Sequence, residues 1–280
     1  MQKAYKKYFA VFVLPTLLAF TVFFIIPFIM GIVLSFCKFT TVTNARFVGF
    51  SNYIRAFSNA DFINALGFTT KFTIVSVITI NIIAFAIAYG LTRGIKGTNF
   101  FRTTFFMPNL IGGIVLGYIW QLMINAVLAN FDVTITSDAK YGFWGLVILM
   151  NWQLIGYMMI IYIAAIQNIP GELIEAAKID GATKTQTMFK VIIPMAMPSI
   201  TICLFLSLTN AFKLFDQNLA LTAGAPSRKT AGFALDIYTT FYNRNGWEGV
   251  GQAKAVVFFI IVGIVSMLQL YITRKREVEE

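Results

Sequence analysis

The residues that could do chemistry in this 280-residue sequence interrupt two long apolar stretches. Asn151, Trp152, Gln153 and Tyr157 stand in one. Ser207, Asn210, Lys213, Asp216, Gln217 and Asn218 stand in the next. Amides and hydroxyls offer paired donors and acceptors, which suits a ligand rich in hydroxyl groups such as a sugar. An aromatic face suits the apolar side of a pyranose ring, although Trp152 and Tyr157 do not share a helical stripe, so at most one of them stacks. The plainer role for each polar residue is a hydrogen bond between helices. On that reading Lys213 and Asp216, one turn apart, neutralise each other. Asn81 and Gln121, on other stretches, read as packing links.

A third set of polar residues lies outside the apolar stretches, at 168–194. Pro170 and Gly171 break the preceding helix. Glu172 and Glu175 favour the first turn of a new one. Leu173, Ala176, Ala177 and Asp180 then fall on one narrow face of small and largely apolar character. Gly181 is a suitable residue to end that helix in the left-handed conformation. Thr183 and Gln186 form a capping-box pattern that starts another, and Pro194 and Pro198 shape the entry to the next apolar stretch. The segment therefore predicts two short helices at a sharp bend. Both an ordinary connector and a docking element for another chain fit it.

Several chemistries are excluded. The sequence contains no His, which removes zinc sites of the HExxH type, Ser-His catalysis and the commonest proton relay. It has no phosphate-binding Gly-rich loop ending in Lys-Ser/Thr; the segment from Gly224 to Thr230 lacks the second glycine. Cys37 and Cys203 lie in or beside apolar runs and suggest neither a disulfide framework nor a metal site. No catalytic residue, metal ligand or cofactor site is expected.

The elements that position these residues follow from charge. Of all residues, 58% are hydrophobic and only 12% are charged, and the mean hydropathy is +0.75. A soluble domain carries about a quarter charged residues, so lipid must be part of the solvent. The net charge of +10 is then better matched to anionic headgroups than to nucleic acid. A helix needs about 20 apolar residues to cross a bilayer, and six charge-free gaps are long enough: 8–37, 72–92, 103–131, 141–171, 191–212 and 255–273. In lipid the backbone must satisfy itself, so these are helices. The expected fold is all-α, a polytopic membrane protein of six transmembrane helices in one transmembrane domain over 1–280.

The first span reads as uncleaved, with Pro15 and Pro27 kinking it or marking its ends. The fifth is expected to run on to about Thr222, taking Lys213 and Asp216 into the membrane. Phe50, Tyr53, Ile54 and Phe57 predict a short interfacial helix. With both termini cytoplasmic, Lys3, Lys6, Lys7, Arg93, Lys96, Arg102, Lys178, Lys184, Lys190, Arg274, Lys275 and Arg276 face in. Lys38, Arg46, Arg55, Lys71, Lys140, Arg228, Lys229, Arg244 and Lys254 then fall in outside loops. The inside density of Lys and Arg is about twice the outside density, which favours this orientation.

Glu175-Ala176-Ala177, then Gly181, then Val191-x-Ile193-Pro194, resembles the EAA motif of ATP-binding-cassette importer permeases. Phe215-Asp216 and Leu221-Thr222-Ala223-Gly224-Ala225-Pro226 resemble a segment of maltose-type carbohydrate permeases, with Ala225 where the second glycine is usual. The resemblance covers roughly 9–276 and implies the first permease of a heterodimeric pair. It implies that 168–194 is a cytoplasmic coupling loop docking into an ATPase subunit through Glu172, Glu175, Ala176, Ala177, Asp180, Gly181 and Pro194. Carried across residue by residue, it also implies a substrate site at Gln153, Leu154, Tyr157, Ser207, Asn210, Ala211, Leu214 and Asp216. Tyr157 and Ser207 agree in type with the family's pattern; Asn210 and Asp216 do not.

The partners so implied are a second homologous permease, two ATPase subunits or domains, an extracellular solute-binding protein, a carbohydrate and the plasma-membrane bilayer. No nucleic acid is among them. ATP would be bound by the ATPase partners. The competing expectation is a secondary transporter or channel acting alone, with Lys213 and Asp216 as its working charges; no internal repeat of the kind common in such proteins is visible.

Overall fold

The computed structural model describes residues 2–275; Arg276, counted above among the inward-facing cations, lies outside them. The fold is all-α and polytopic. Among the described residues, five helices are long and apolar enough to cross a membrane: Val11–Ser35, Ala60–Leu91, Gly113–Phe131, Ala139–Gln167 and Glu248–Arg274. A bent pair, Lys184–Met195 and Met197–Phe212, makes a sixth if counted as one span. The six charge-free gaps each find a helix. Their edges move because a helix does not stop at the first charge. Lys71 is exposed within the second span, which starts at Ala60 rather than at residue 72.

Among the described residues two compact units form, one of the residues up to Phe62 with Ile237–Phe259 and one of Ile63–Asp236 with the residues from Ile260 on. In the first, Pro15 sits inside the helix Gln2–Phe20, and Pro27 opens the segment Ile26–Ser35 after a π-helical turn at Thr21–Ile25. A wide turn there matches what prolines impose, since each removes a backbone donor. A two-residue antiparallel ladder follows, pairing Cys37 with Phe47 and Lys38 with Arg46. The expected short helix forms at Ser51–Phe57 and leaves Phe50, Ile54 and Phe57 exposed. Asn52 fixes it to the end of the first span by donating to the carbonyls of Ser35 and Cys37 at 2.9 and 2.8 Å.

Lys254 corrects the expectation of an outside loop. The sixth span begins at Glu248, so Lys254 lies within it and is fully buried. Its ammonium donates to Thr240 Oγ1 at 2.8 Å and Asn59 Oδ1 at 3.2 Å, and lies 5.2 Å from the Phe62 ring centre. Charge alone set the predicted boundary too late, because a paired cation can be built into a helix.

The second unit is organised on Ala139–Gln167, the most buried of the candidate spans. Leu146, Leu149, Met150, Met158 and Tyr162 pack with Phe72, Ile80 and Ala84 of the second span. The helix Thr98–Phe106 crosses it at Gly156, where a β-carbon would strike the backbone of Phe105.

Candidate functional site

The bent loop forms as its residues dictate. A helix runs from Gly171 to Ile179 with Glu172 in its first turn and Lys178 in its last, each complementing the helix dipole. Gly181, at φ 77°, closes it. The Gly181 N–H donates to the Lys178 carbonyl at 3.1 Å and the Ala182 N–H to that of Ala177 at 2.9 Å, the two bonds of a Schellman ending. The capping box then starts the next helix: Gln186 N–H donates to Thr183 Oγ1 at 3.3 Å and Thr183 N–H to Gln186 Oε1 at 2.7 Å. A short helix (Lys184–Thr187), a π-helical turn (Met188–Ile192) and the segment Ile193–Met195 follow, and the chain bends by 72° into Met197–Phe212.

Most of the predicted loop residues share an open surface. Glu172, Glu175, Ala176, Asp180 and Gly181 are exposed, while Ala177 and Pro194 are half-buried. Beside them Ile179 is 86% exposed and Phe189 60%. Ile179 stands one helical turn from Glu175 and next to Asp180, so an exposed aliphatic side chain lies beside acidic ones, a surface suited to contact.

Gln153 of the fourth span and Asn210 of the fifth meet at a cavity of about 150 Å³ lined by Asn109, Met150, Gln153, Leu154, Asn210, Lys213, Leu214 and Gln217. Gln217 Nε2 donates to Gln153 Oε1 at 2.7 Å, and Gln153 Nε2 donates to the Ile111 carbonyl at 3.3 Å. Asn210 Nδ2 donates to the Leu206 carbonyl at 2.8 Å. The cavity brings together Gln153, Asn210 and Leu214 of the predicted substrate residues, with Leu154.

The other four predicted residues lie elsewhere, Ala211 fully buried in the apolar core. Tyr157 is half-buried, its ring 6.5 Å from that of Phe106. Ser207 is fully buried; it donates to the Cys203 carbonyl at 2.7 Å and accepts from Asn81 Nδ2 at 2.8 Å. Tyr162 donates to Asn81 Oδ1 at 2.6 Å, so Asn81 links three spans. Gln121, the other expected packing link, donates to the Leu221 carbonyl at 2.9 Å. Asp216 is exposed at the first residue of a separate helix, Asp216–Leu221. The fifth span therefore does not run on to Thr222. It ends at Phe212, and among the described residues no ion pair joins Lys213 to Asp216. A non-helical break between the two removes the one-turn spacing on which that pairing rested.

Asn109 and Gln217 were outside the carried-over set. Gln217 was visible as a polar residue in an apolar run; Asn109 had no signal beyond following Pro108. The short helix packs on the third span where Gly117 would bring a β-carbon within 2.5 Å of Ala220 Cβ. The loop after it is pinned by Asn218, whose Nδ2 donates to the Thr230 carbonyl at 2.8 Å while its Oδ1 accepts from Gly232 N–H at 2.7 Å. Gly224 takes a left-handed φ of 85° and Ala225 does not, so alanine is tolerated where a second glycine is usual.

The sequence matches the protein family described as binding-protein-dependent transport system inner membrane component over residues 81–278. It is 45% identical over 276 residues to the probable starch degradation products transport system permease protein AmyD of Thermoanaerobacterium thermosulfurigenes, covering 96% of this chain and 94% of the relative. It is 32% identical over 289 residues to the multiple sugar-binding transport system permease protein MsmF of Streptococcus mutans serotype c, covering 99% of each. Its fold is similar to a chain of the crystal structure of a bacterial ABC transporter that imports the acidic polysaccharide alginate. The TM-score is 0.83 at 19% identity, covering 98% of both chains.

Proposed function

The chain belongs to the family of binding-protein-dependent transport system inner membrane components, and from that premise we propose how it serves as the membrane permease subunit of an ATP-binding-cassette importer of carbohydrate. The carrying observation is the open face of the bent loop. Ile179 projects one helical turn from Glu175 and next to Asp180, and this exposed loop, with Phe189 further along it, docks into an ATPase subunit on the cytoplasmic side. Glu175 supplies the polar contact. Ala176 and Ala177 permit close approach, Gly181 sets the bend, and Pro194 leads into the fifth span. The names of the relatives, which refer to starch degradation products and to multiple sugars, support a sugar or oligosaccharide as cargo.

The cavity at Gln153, Asn210 and Leu214 forms one wall of the substrate path, and Tyr157, Ser207 and Asp216 do not line it. Complete ligand pockets occupy about 300–1,000 Å³, so a wall of this size needs a second, homologous permease to close it. Closure of two ATPase subunits or domains pushes the loop. The 72° bend passes the push to Met197–Phe212, which carries Asn210. ATP is bound by the ATPase partners, and this chain needs no cofactor and catalyses no reaction. An extracellular solute-binding protein delivers the sugar, and both termini are cytoplasmic.

Glu175→Lys and Gly181→Pro, each in the complete transporter reconstituted in proteoliposomes, test the docking assignment. Proline cannot take φ 77° or donate to the Lys178 carbonyl. Uptake should be lost in both while the loaded binding protein still associates. Normal uptake in both variants would overturn the assignment.

A further inference from the structure

Three cations converge on a cavity that the transport reading does not use. It has a volume of about 510 Å³, lies where two spans end, and takes Arg93 from one side and Lys178 and Lys184 from the bent loop. Its remaining walls are largely apolar, with Tyr89, Ile166, Ile174 and Ile192, and among the described residues no acidic side chain lines it. Arg93 is held in place by Tyr89, bonding its hydroxyl and stacking 4.2 Å from the ring centre. Lys178 and Lys184 are exposed and carry no ion pair among the described residues. Three positive groups over an apolar hollow call for an anion with an apolar body.

The position of the cavity says which anion. The second span ends at Leu91 and the fourth at Gln167, so the hollow opens where apolar helix gives way to polar chain. A second basic cavity, with Lys71, Lys140 and Lys229 beside Phe68, Phe143 and Trp144, lies at the opposite ends of the same two helices. Lys71 and Arg93 bracket that stretch of the second span, and 22 residues at 1.5 Å each set them about 33 Å apart. The hydrocarbon core of a bilayer is about 30 Å thick. Both cation clusters therefore stand at headgroup depth, one in each leaflet. Basic pockets at that depth between spans suit phospholipid headgroups.

We propose that the cavity formed by Arg93, Lys178 and Lys184 holds the phosphate of an anionic phospholipid, with its acyl chains along the ends of the second and fourth spans. Because Lys178 and Lys184 belong to the bent loop, the lipid would tie that loop to the membrane. The site stands whether or not the loop docks to an ATPase.

Native mass spectrometry of the full chain in detergent tests this, with phosphatidylglycerol, phosphatidylcholine and inorganic phosphate as probes. In a background lacking the second basic cavity (Lys71→Gln/Lys140→Gln/Lys229→Gln), phosphatidylglycerol should be retained over phosphatidylcholine by about tenfold, and the double variant Lys178→Gln/Lys184→Gln should remove that preference. A variant with the same charge loss at exposed positions elsewhere, Lys38→Gln/Arg46→Gln, should keep it. Excess inorganic phosphate should not displace the lipid. No preference for the anionic lipid, an unchanged preference in the double variant, or displacement by inorganic phosphate would each overturn the proposal. If the double variant aggregates, Lys184→Gln alone is read in the same way, and an unchanged preference there counts against the site.

Discussion

Gln217 and Gln153 are joined side chain to side chain across 2.7 Å, although they stand 64 positions apart. The bond turns the Gln153 amide so that its other end meets the Ile111 carbonyl, and it fixes one wall of the polar cavity. Replacing Gln217 by Leu leaves the Gln153 oxygen without its donor, which costs about 1–3 kcal/mol for a buried group. Sugar uptake at low concentration by the complete transporter should fall about tenfold. Unchanged uptake would take this cavity off the substrate path.

Ser207 separates packing from binding. Its hydroxyl is committed to Asn81 and to the Cys203 carbonyl, out of contact with the cavity. Ser207→Ala should lower stability by about 1 kcal/mol, the scale of an interhelical hydrogen bond in a membrane, and leave the KM for uptake unchanged. Thermal unfolding of the purified chain and uptake assays report the two effects. A raised KM with unchanged stability would make Ser207 a ligand contact.

Gly156 marks a helix crossing that admits no side chain. A β-carbon there meets the backbone of Phe105 and the amide of Phe106, which cannot rotate aside. Gly156→Val should cost about 3 kcal/mol or more through overpacking, seen as loss of folded protein in size-exclusion profiles. Gly263→Ala, with open space around it, should fold like the parent.

Lys254 is fully buried in the first compact unit, between Asn59 and Thr240. Lys254→Met keeps the length and removes the donor, and should lower stability by about 1–3 kcal/mol. Lys254→Ala adds an unfilled cavity and should cost more. Equal midpoints of thermal unfolding for the parent and Lys254→Met would show that the ammonium contributes nothing net.

Local chemistry made much of this protein legible in advance. Charge exclusion from lipid located a helix for every gap, since a solvent that cannot hydrogen-bond leaves the backbone no other choice. The bent loop was equally readable, because Gly181, Thr183 and Gln186 act on neighbours within a few residues. What depended on distant partners was not readable. Lys254 looked like a loop residue until Asn59 and Thr240 came to meet it. Lys213 and Asp216 looked like a pair until the helix ended between them at Phe212. Asn210 and Ser207 are both polar residues of the fifth span, yet one lines the cavity and the other faces Asn81. A hydrogen-bonding side chain declares only that it needs a partner; its position along the helix does not say whether that partner is a neighbouring span or an open space, and the packing of the spans decides it.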